Sequence, residues 1–310
     1  MAARLAEAAR RWAGEQRPTP EERKRVLPVL AGMLTLAALG GCALWRMPQG
    51  TAERAQAAPL PRHAKQGSAR VAAGDYVVPK DFQGTLVRNR IRHFPKKLLA
   101  ITFDDGPDPK NTPLVLAALA KAKAHATFFV IGRQVDQHPK LVRAIMEGGH
   151  AIGLHSYSHK ARPTPAQAVQ EIDRTVLALK KATGRRTELL RPPYGLTNTN
   201  LTNAARKRGY SVILWTVASA DTMHINTTSI CNNVIHTPNP GDIILLHDGP
   251  GHARTANAVP RILSELQKAG FEFVTMPELM RAWDEWKRTP EAKAFQTARL
   301  KRARERAAKA

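Results

Sequence analysis

From Lys96 to Trp286 the chain repeats one unit: a short apolar run, a polar turn, then a longer segment with apolar residues every three or four positions. Short apolar runs bounded by turn residues read as buried strands, and the longer segments read as amphipathic helices. The pattern predicts strands over Leu98–Phe103, Ala126–Val130, Ala151–Leu154, Glu188–Leu190, Tyr210–Leu214, Asp242–Leu246 and Phe271–Val274. It predicts helices over Thr112–Lys123, His138–Glu147, Thr164–Thr183, Asn200–Arg208, Thr227–His236, Ala253–Lys268 and Pro277–Trp286. The longest of these opens on Pro165 after a Thr164 cap and closes on Gly184, the usual start and stop chemistry of a helix. Strands joined through helices run parallel, so the expected fold is an α/β open sheet or a (β/α) barrel. In such barrels the site lies at the C-terminal ends of the strands.

Five of the predicted strand ends lead into groups that carry chemistry. Phe103 runs into Asp104 and Asp105, Leu154 into His155-Ser156-Tyr157-Ser158-His159, and Leu190 into Arg191-Pro192-Pro193-Tyr194-Gly195. Leu214 leads to Trp215 and, further on, Asp221; Leu246 leads to His247-Asp248. One acidic or imidazole side chain after a strand means little, since Asp and Gly-Pro are ordinary turn formers. Five at the same relative position mark one catalytic face. Adjacent side chains on an extended chain point to opposite sides, so Asp104 and Asp105 share a site only if the chain turns, as Gly106-Pro107 suggests. His155 and His159, at i and i+4, converge on one ion if their segment is helical or tightly turned. With one carboxylate of the Asp104-Asp105 pair they form a two-His, one-carboxylate set. That set suits a catalytic zinc with an open position and equally an iron(II) oxygenase, so the ligands alone leave the reaction open.

Four stretches together are more specific. Thr102-Phe103-Asp104-Asp105-Gly106-Pro107, His155-x-x-x-His159, Arg191-Pro192-Pro193-Tyr194-Gly195 and Leu245-Leu246-His247-Asp248 resemble, in order, four of the five signature motifs of the polysaccharide deacetylase family. This family is also known as the NodB-homology domain or carbohydrate esterase family four. The resemblance spans about residues 96–286. It implies a distorted (β/α) barrel and metal-dependent removal of acetate from N-acetylated sugars. Carried over by motif, Asp105, His155 and His159 would bind the metal, zinc in the first instance or another divalent transition metal. Asp104 would be the general base, His247 the general acid, and Arg191 would orient Asp104. The backbone N–H of Tyr194 would help hold the oxyanion. The fifth motif is altered. The family often has Asp, two residues, then Asp-Trp; here Ala218 replaces the first Asp, Asp221 retains the second as support for the acid histidine, and Thr222 replaces the Trp. The expectation is a missing apolar wall, unless Trp215 or the Met223–Asn226 loop supplies one.

The flanks and the charge bear on where such an enzyme would act. Residues 1–25 are polar and basic, and no charge occurs from Val26 to Trp45. That run matches the ~20 apolar residues of a membrane-crossing helix, so residues 26–46 are expected to be a transmembrane anchor. Basic residues are denser before the run than after it, which puts the N-terminus in the cytoplasm and the remainder outside the membrane. Leu39-Gly40-Gly41-Cys42 offers an alternative, a lipoprotein anchored at Cys42. Residues 47–95 read as a linker or stalk whose later part packs on the domain, and 287–310 as a basic tail, helical at best when bound. The net charge of +23 suggests a polyanionic neighbour, but aromatics are only 5% and no nucleic-acid module is present, so no nucleic acid is expected. Cys42 and Cys231 are not expected to form a disulfide. The expected partner is an N-acetylglucosamine-containing polysaccharide of the cell envelope, peptidoglycan by default. A glycan-binding protein on a catalytically decayed barrel is the competing reading.

Overall fold

The structure, a computed structural model, describes residues 74–223 and 225–307, the last eight as backbone alone. The basic segment 1–25, the Val26–Trp45 run, the Cys42 alternative and the first part of the stalk lie outside the described residues. Among the described residues no helix is long and apolar enough to cross a membrane.

Nine strands are present among these residues: β1 (Leu86–Val87), β2 (Leu98–Asp104), β3 (Thr127–Val130), β4 (Ala151–Leu154), β5 (Leu189–Leu190), β6 (Ser211–Ile213), β7 (Val217–Ala218), β8 (Ile243–His247) and β9 (Glu272–Phe273). All pair in parallel, in the order β1-β6-β5-β4-β3-β2-β8-β7, with β9 on the first residues of β2. The distorted barrel that the family resemblance implied is therefore an open half-barrel, with β1 and β7 at the ends of the row. Between the strands run α1 (Thr112–Ala122), α2 (Gly132–Gln137), α3 (Pro139–Glu147), α4 (Pro165–Thr183), α5 (Asn200–Lys207), α6 (Thr227–Ile235) and α7 (Ala253–Lys268); α8 (Met276–Lys287) and α9 (Pro290–Ala307) follow β9.

Both faces of the sheet are covered, which is why its strands are continuous apolar runs. Leu99, Ile101 and Phe103 of β2 point outward into one core with Phe128, Ile152, Leu190, Val212 and the outer helices. Ala100 points inward, with Phe129, Leu189, Ile213 and Ile243, onto a second core. That inner core is plugged by Met276, Leu279, Met280 and Trp283 of α8 and by Val78, Phe82, Val87 and Phe94 from the supposed stalk. Residues 76–95 thus belong to the body of the domain: Tyr76 bridges to Thr187, and β1 extends the sheet beside β6.

The long helix α4 begins as its sequence indicates. Thr164 and Gln167 exchange hydrogen bonds in a capping box, and Gly184 ends the helix at φ 73. Besides β1, two elements were not expected. Helix α2 is six residues with a single buried aliphatic side chain, Val135, too little for a helical period. Strand β7 is two residues long, and its only sheet partner is the edge of β8. The basic tail forms α9, whose first turns rest on the domain through buried Ala292 and Phe295 stacked at 4.3 Å on His93.

Candidate active site

Sheet register brings the first two groups together. Asp104, the last residue of β2, pairs directly with His247, the last of β8, and with Phe129 of β3. Alternation places Thr102 and Asp104 on the same inward face as Ala100. Arg191, two residues beyond inward-facing Leu189, enters the same interior and is wholly buried. Its Nη1 donates to Asp104 Oδ1 at 2.8 Å and to Thr102 Oγ1 at 2.8 Å, and its Nε and Nη2 donate to the carbonyls of Ile213 and Leu214. The guanidinium lies 4.1 Å from the Phe129 ring centre. A buried, hydrogen-bonded pair of opposite charges keeps Asp104 an acceptor with one orientation.

By alternation Asp105 belongs on the other face. It reaches the same site because its backbone takes φ 71, the left-handed region that L residues rarely adopt. The turn is crowded: a Cβ on Gly249 would stand 2.6 Å from Asp105 Cβ, so the strand end accepts only glycine there. Asp105 Oδ1 then lies 3.4 Å from His155 Nε2 and 3.3 Å from His159 Nε2. The two histidines stand not on a helix but on a tight turn in which Ser156 and His159 both have φ 61. Glu171 of α4 holds that turn, accepting the Tyr157 and Ser158 N–H groups at 2.7 Å and the Ser158 hydroxyl at 2.6 Å.

These three residues fit a metal ion. His155 Nδ1 lies 2.8 Å from the Arg191 carbonyl, which only accepts, so Nδ1 carries a hydrogen and Nε2 is the ring atom turned toward Asp105. Burial, then the neighbouring His155, hold the His159 imidazole below its usual range. Asp105 Oδ1 is buried and, though within ion-pair range of both imidazoles, makes no hydrogen bond. Burial opposes its ionisation, but the close imidazoles, His155 foremost, outweigh burial and hold the carboxyl well below the usual range. Zinc bonds of about 2.0–2.1 Å in a tetrahedron imply ligand–ligand edges of about 3.3–3.4 Å, the separations observed.

On the opposite wall His247 Nδ1 meets Asp221 Oδ1 at 2.8 Å, and the His247 N–H donates to Asp221 Oδ2 at 2.8 Å. The Thr255 hydroxyl adds a third bond to Asp221 at 2.9 Å. Burial would lower the His247 pKa, but the bond to Asp221 and its charge, with smaller help from Asp104 and Asp105, push it up to about 9. Asp221, though buried, is held below the usual carboxylate range by the same contact. His247 is thus an imidazolium at neutral pH. Behind it, burial and then the charges of Asp105 and Asp104 push the Asp248 carboxyl up to about 7 against a 2.5 Å bond from Thr112.

Tyr194 completes the rim. Its backbone is left-handed at φ 59 and its ring lies 4.6 Å from His159. The following Gly195, at φ 66, is covered by Trp215, whose Cη2 a Cβ there would approach to 2.7 Å. At the altered fifth motif Ala218 and Thr222 are both exposed, as is Met223. Trp215 packs beneath the Pro193–Gly195 turn and on the inner core.

Every residue singled out in the sequence therefore reaches one face: Asp104, Asp105, His155, His159, Arg191, Tyr194, Asp221 and His247. Thr102, Glu171 and Thr255 were missed. Glu171 and Thr255 sit on helices, where nothing local distinguishes them from solvated polar residues. Thr102 was legible in principle, being in phase with Asp104. His252 stacks on His247 at 5.0 Å between ring centres.

Residues 92–213 match the family model for polysaccharide deacetylase. A peptidoglycan-N-acetylglucosamine deacetylase of Bacillus cereus is 39% identical over 192 residues, 60% of this chain and 89% of the relative. PdaC of Bacillus subtilis, a peptidoglycan-N-acetylmuramic acid deacetylase, is 35% identical over 200 residues, 64% of this chain and 41% of the relative. Among solved structures, a peptidoglycan N-acetylglucosamine deacetylase in complex with 4-naphthalen-1-yl-N-oxidanyl-benzamide superposes with TM-score 0.60 at 30% identity, covering 64% of this chain and 94% of that one. A pseudoenzyme of carbohydrate esterase family 4, in a mutant with restored activity, superposes with TM-score 0.56 at 25% identity, over 61% of this chain and 69% of that one. An identity of 39% sustained over 89% of a relative's length, on the same parallel fold, makes this chain a member of the polysaccharide deacetylase family, carbohydrate esterase family 4, and a hydrolase of non-peptide carbon–nitrogen bonds.

Proposed function

We propose that the protein hydrolyses the N-acetyl groups of N-acetylglucosamine residues in a cell-envelope polysaccharide, peptidoglycan first, and releases acetate with the help of one divalent metal. The observation that carries this is the β2–β8 register. It sets Asp104, bound by Arg191, beside a protonated imidazole, His247, at a site rimmed by Asp105, His155 and His159. A base and an acid on opposite sides of a reacting carbon are what amide hydrolysis needs. A protein that only binds glycan needs neither.

Asp105, His155 and His159 would hold the cation, whose Lewis acidity polarises an amide carbonyl and acidifies water. Asp104, fixed by Arg191, receives the proton of the attacking water. The N–H of Tyr194 stabilises the oxygen on which charge develops; one such donor is worth about 3–4 kcal/mol in comparable sites. His247 gives its Nε2 proton to the departing sugar amine and is left neutral with its Nδ1–H still on Asp221. Relatives named for peptidoglycan, at 39% and 35% identity, put that polymer first, and a chitooligosaccharide deacetylase at 33% makes chitin oligomers the second substrate to test.

The test is to incubate the full-length chain in detergent, with and without zinc, with peptidoglycan and with chitin oligosaccharides, and to measure acetate and product masses. Metal-dependent acetate release from peptidoglycan is expected. Tight binding of the polymer without acetate release would favour the decayed glycan-binding reading. We propose further that the Val26–Trp45 run anchors the chain with its catalytic domain outside the cytoplasmic membrane. Protease added to spheroplasts should then digest the domain and spare the first residues; complete protection would reverse the topology.

A further inference from the structure

The active face holds a second set of metal-binding side chains. Asp221, His247 and His252 each present a donor atom, and these atoms lie within 4.8 Å of one another. His247 Nδ1 is 2.8 Å from Asp221 Oδ1, and His252 Nδ1 is 3.9 Å from Asp221 Oδ2. The two separations bracket the edge of about 3.3 Å expected between ligands of a tetrahedral zinc. Each misses that edge by about half an ångström and the set as a whole spans no more than 4.8 Å, so small side-chain rotations would close it. Asp221 is buried, but the imidazoles of His247 and His252 keep 12% and 17% of their surface, so an ion has an approach. The composition, one carboxylate and two imidazoles, repeats that of Asp105, His155 and His159 on the facing wall.

We infer that Asp221, His247 and His252 form a second, weaker divalent-metal site, and that an ion bound there switches off hydrolysis by capturing the acid histidine. The chemistry of capture is specific. An ion on His247 Nδ1 replaces the proton shared with Asp221, and that proton leaves to the buffer. His247 is then a neutral, metal-bound imidazole whose remaining proton is on Nε2. Giving up that proton to a leaving amine would leave an imidazolate, so the group is no longer an effective acid. The need to expel that proton weakens binding at this site. His252 has no part in the proposed hydrolysis, which makes it the residue through which the second site is separable from turnover. Only the effect on rate rests on the assignment of His247 as the acid; the number of bound ions is independent of it.

The experiment strips the full-length chain with a chelator, restores zinc alone, and follows bound zinc by equilibrium dialysis and acetate release in parallel. Wild type is expected to bind one zinc with full activity, then a second at excess zinc as activity falls. His252→Gln should keep wild-type activity at one equivalent and bind one zinc over the same range. Its midpoint for zinc inhibition should rise at least about 10-fold, the lower bound seen when even a supporting contact of a metal site is removed. His252→Asn serves if the Gln variant fails to fold. The double variant His155→Ala, His159→Ala should lose activity yet retain the weaker zinc. A single equivalent in wild type throughout, or inhibition of His252→Gln at the same zinc as wild type, would overturn the second site. Loss of activity in His252→Gln at one equivalent would overturn its accessory role. Failure of wild type to bind any zinc would sink the Asp105 site along with it.

Discussion

Asp221→Asn isolates the electrostatic work done on the acid. Raising His247 from its ordinary 6.5 to about 9 amounts to about 3 kcal/mol in favour of the imidazolium. Asp221 is the largest favourable contributor, and burial works the other way. A cation beside Asp105 offsets the smaller contributions of Asp104 and Asp105, so the alkaline limb of kcat/KM should fall between pH ~8 and ~9 in the metal-loaded enzyme. Without the Asp221 charge, burial is left unopposed and the limb should move to pH ~6.5 or below. At pH 8 the protonated fraction then drops from about 0.5–0.9 to about 0.03, a loss of roughly 15–30-fold; at pH 6 the same change costs only about 1.3-fold. Loss of the orienting bond adds a factor that is the same at every pH. The assay is acetate release across pH 5.5–10 at saturating zinc. The sign for stability runs the same way. A raised folded-state pKa contributes stability that is complete below ~6.5 and lost as pH rises through ~9, so the variant's deficit in Tm should be largest in mild acid and shrink with alkali. Parallel pH profiles for variant and wild type would refute the reasoning and remove Asp221 as the source of the shift.

Four further outcomes follow from the geometry. His155→Ala or His159→Ala should lose both the tightly bound zinc and turnover, and stoichiometric tight zinc in the double variant would refute the ligand assignment. Asp104→Asn should keep metal and fold but lose about 10²–10⁴ in kcat; near-wild-type rates would remove Asp104 from the mechanism. Glu171→Ala frees the turn bearing both histidines and should weaken zinc binding about 10–100-fold while leaving kcat close to normal at saturating zinc; an unchanged zinc affinity would show that the turn holds itself. Thr222→Trp should raise kcat/KM on short chitin oligomers more than on polymer if the wall of the pocket is absent, and no change on either would mean that Trp215 or Met223 already supplies it.

The fold was readable wherever burial imposed a period. The β2 run is apolar throughout because helices cover one face and α8 the other, and its flank of Asp104 and Asp105 marked the catalytic end. What a sequence window does not encode is which way a single residue bends. Asp105 joins Asp104 through one left-handed dihedral, and Gly106-Pro107 only made such a bend reasonable. His155 and His159 were placed by their spacing, which a helix or a tight turn satisfies equally; the turn won because Glu171, twelve residues past His159, pins its N–H groups. Residues 76–95 looked like linker because Tyr76, Val78, Phe82 and Phe94 follow no single period. They bury side chains one at a time against a half-barrel interior that the later chain builds.

The charges at the site explain why two adjacent aspartates do different jobs. Like charges on neighbouring residues would normally drive one proton back on. Here each carboxylate has its own partner: the buried Arg191 guanidinium for Asp104, and the ring nitrogens of two imidazoles for Asp105. The third carboxyl in the corner, Asp248, has no such partner and takes the proton instead, its pKa rising to about 7. Asp104, Asp105 and Asp221 then bring three full negative charges, and Arg191 and His247 two positive ones. The five groups sum to one negative charge, a poor setting for a reaction that develops a further negative charge on a carbonyl oxygen. With a divalent charge between His155 and His159, the same groups sum to one positive charge, and the developing oxyanion neutralises the site instead of loading it. The charges of the whole corner, including residues that would never touch the ion, thus favour the divalent cation that the proposed hydrolysis calls for.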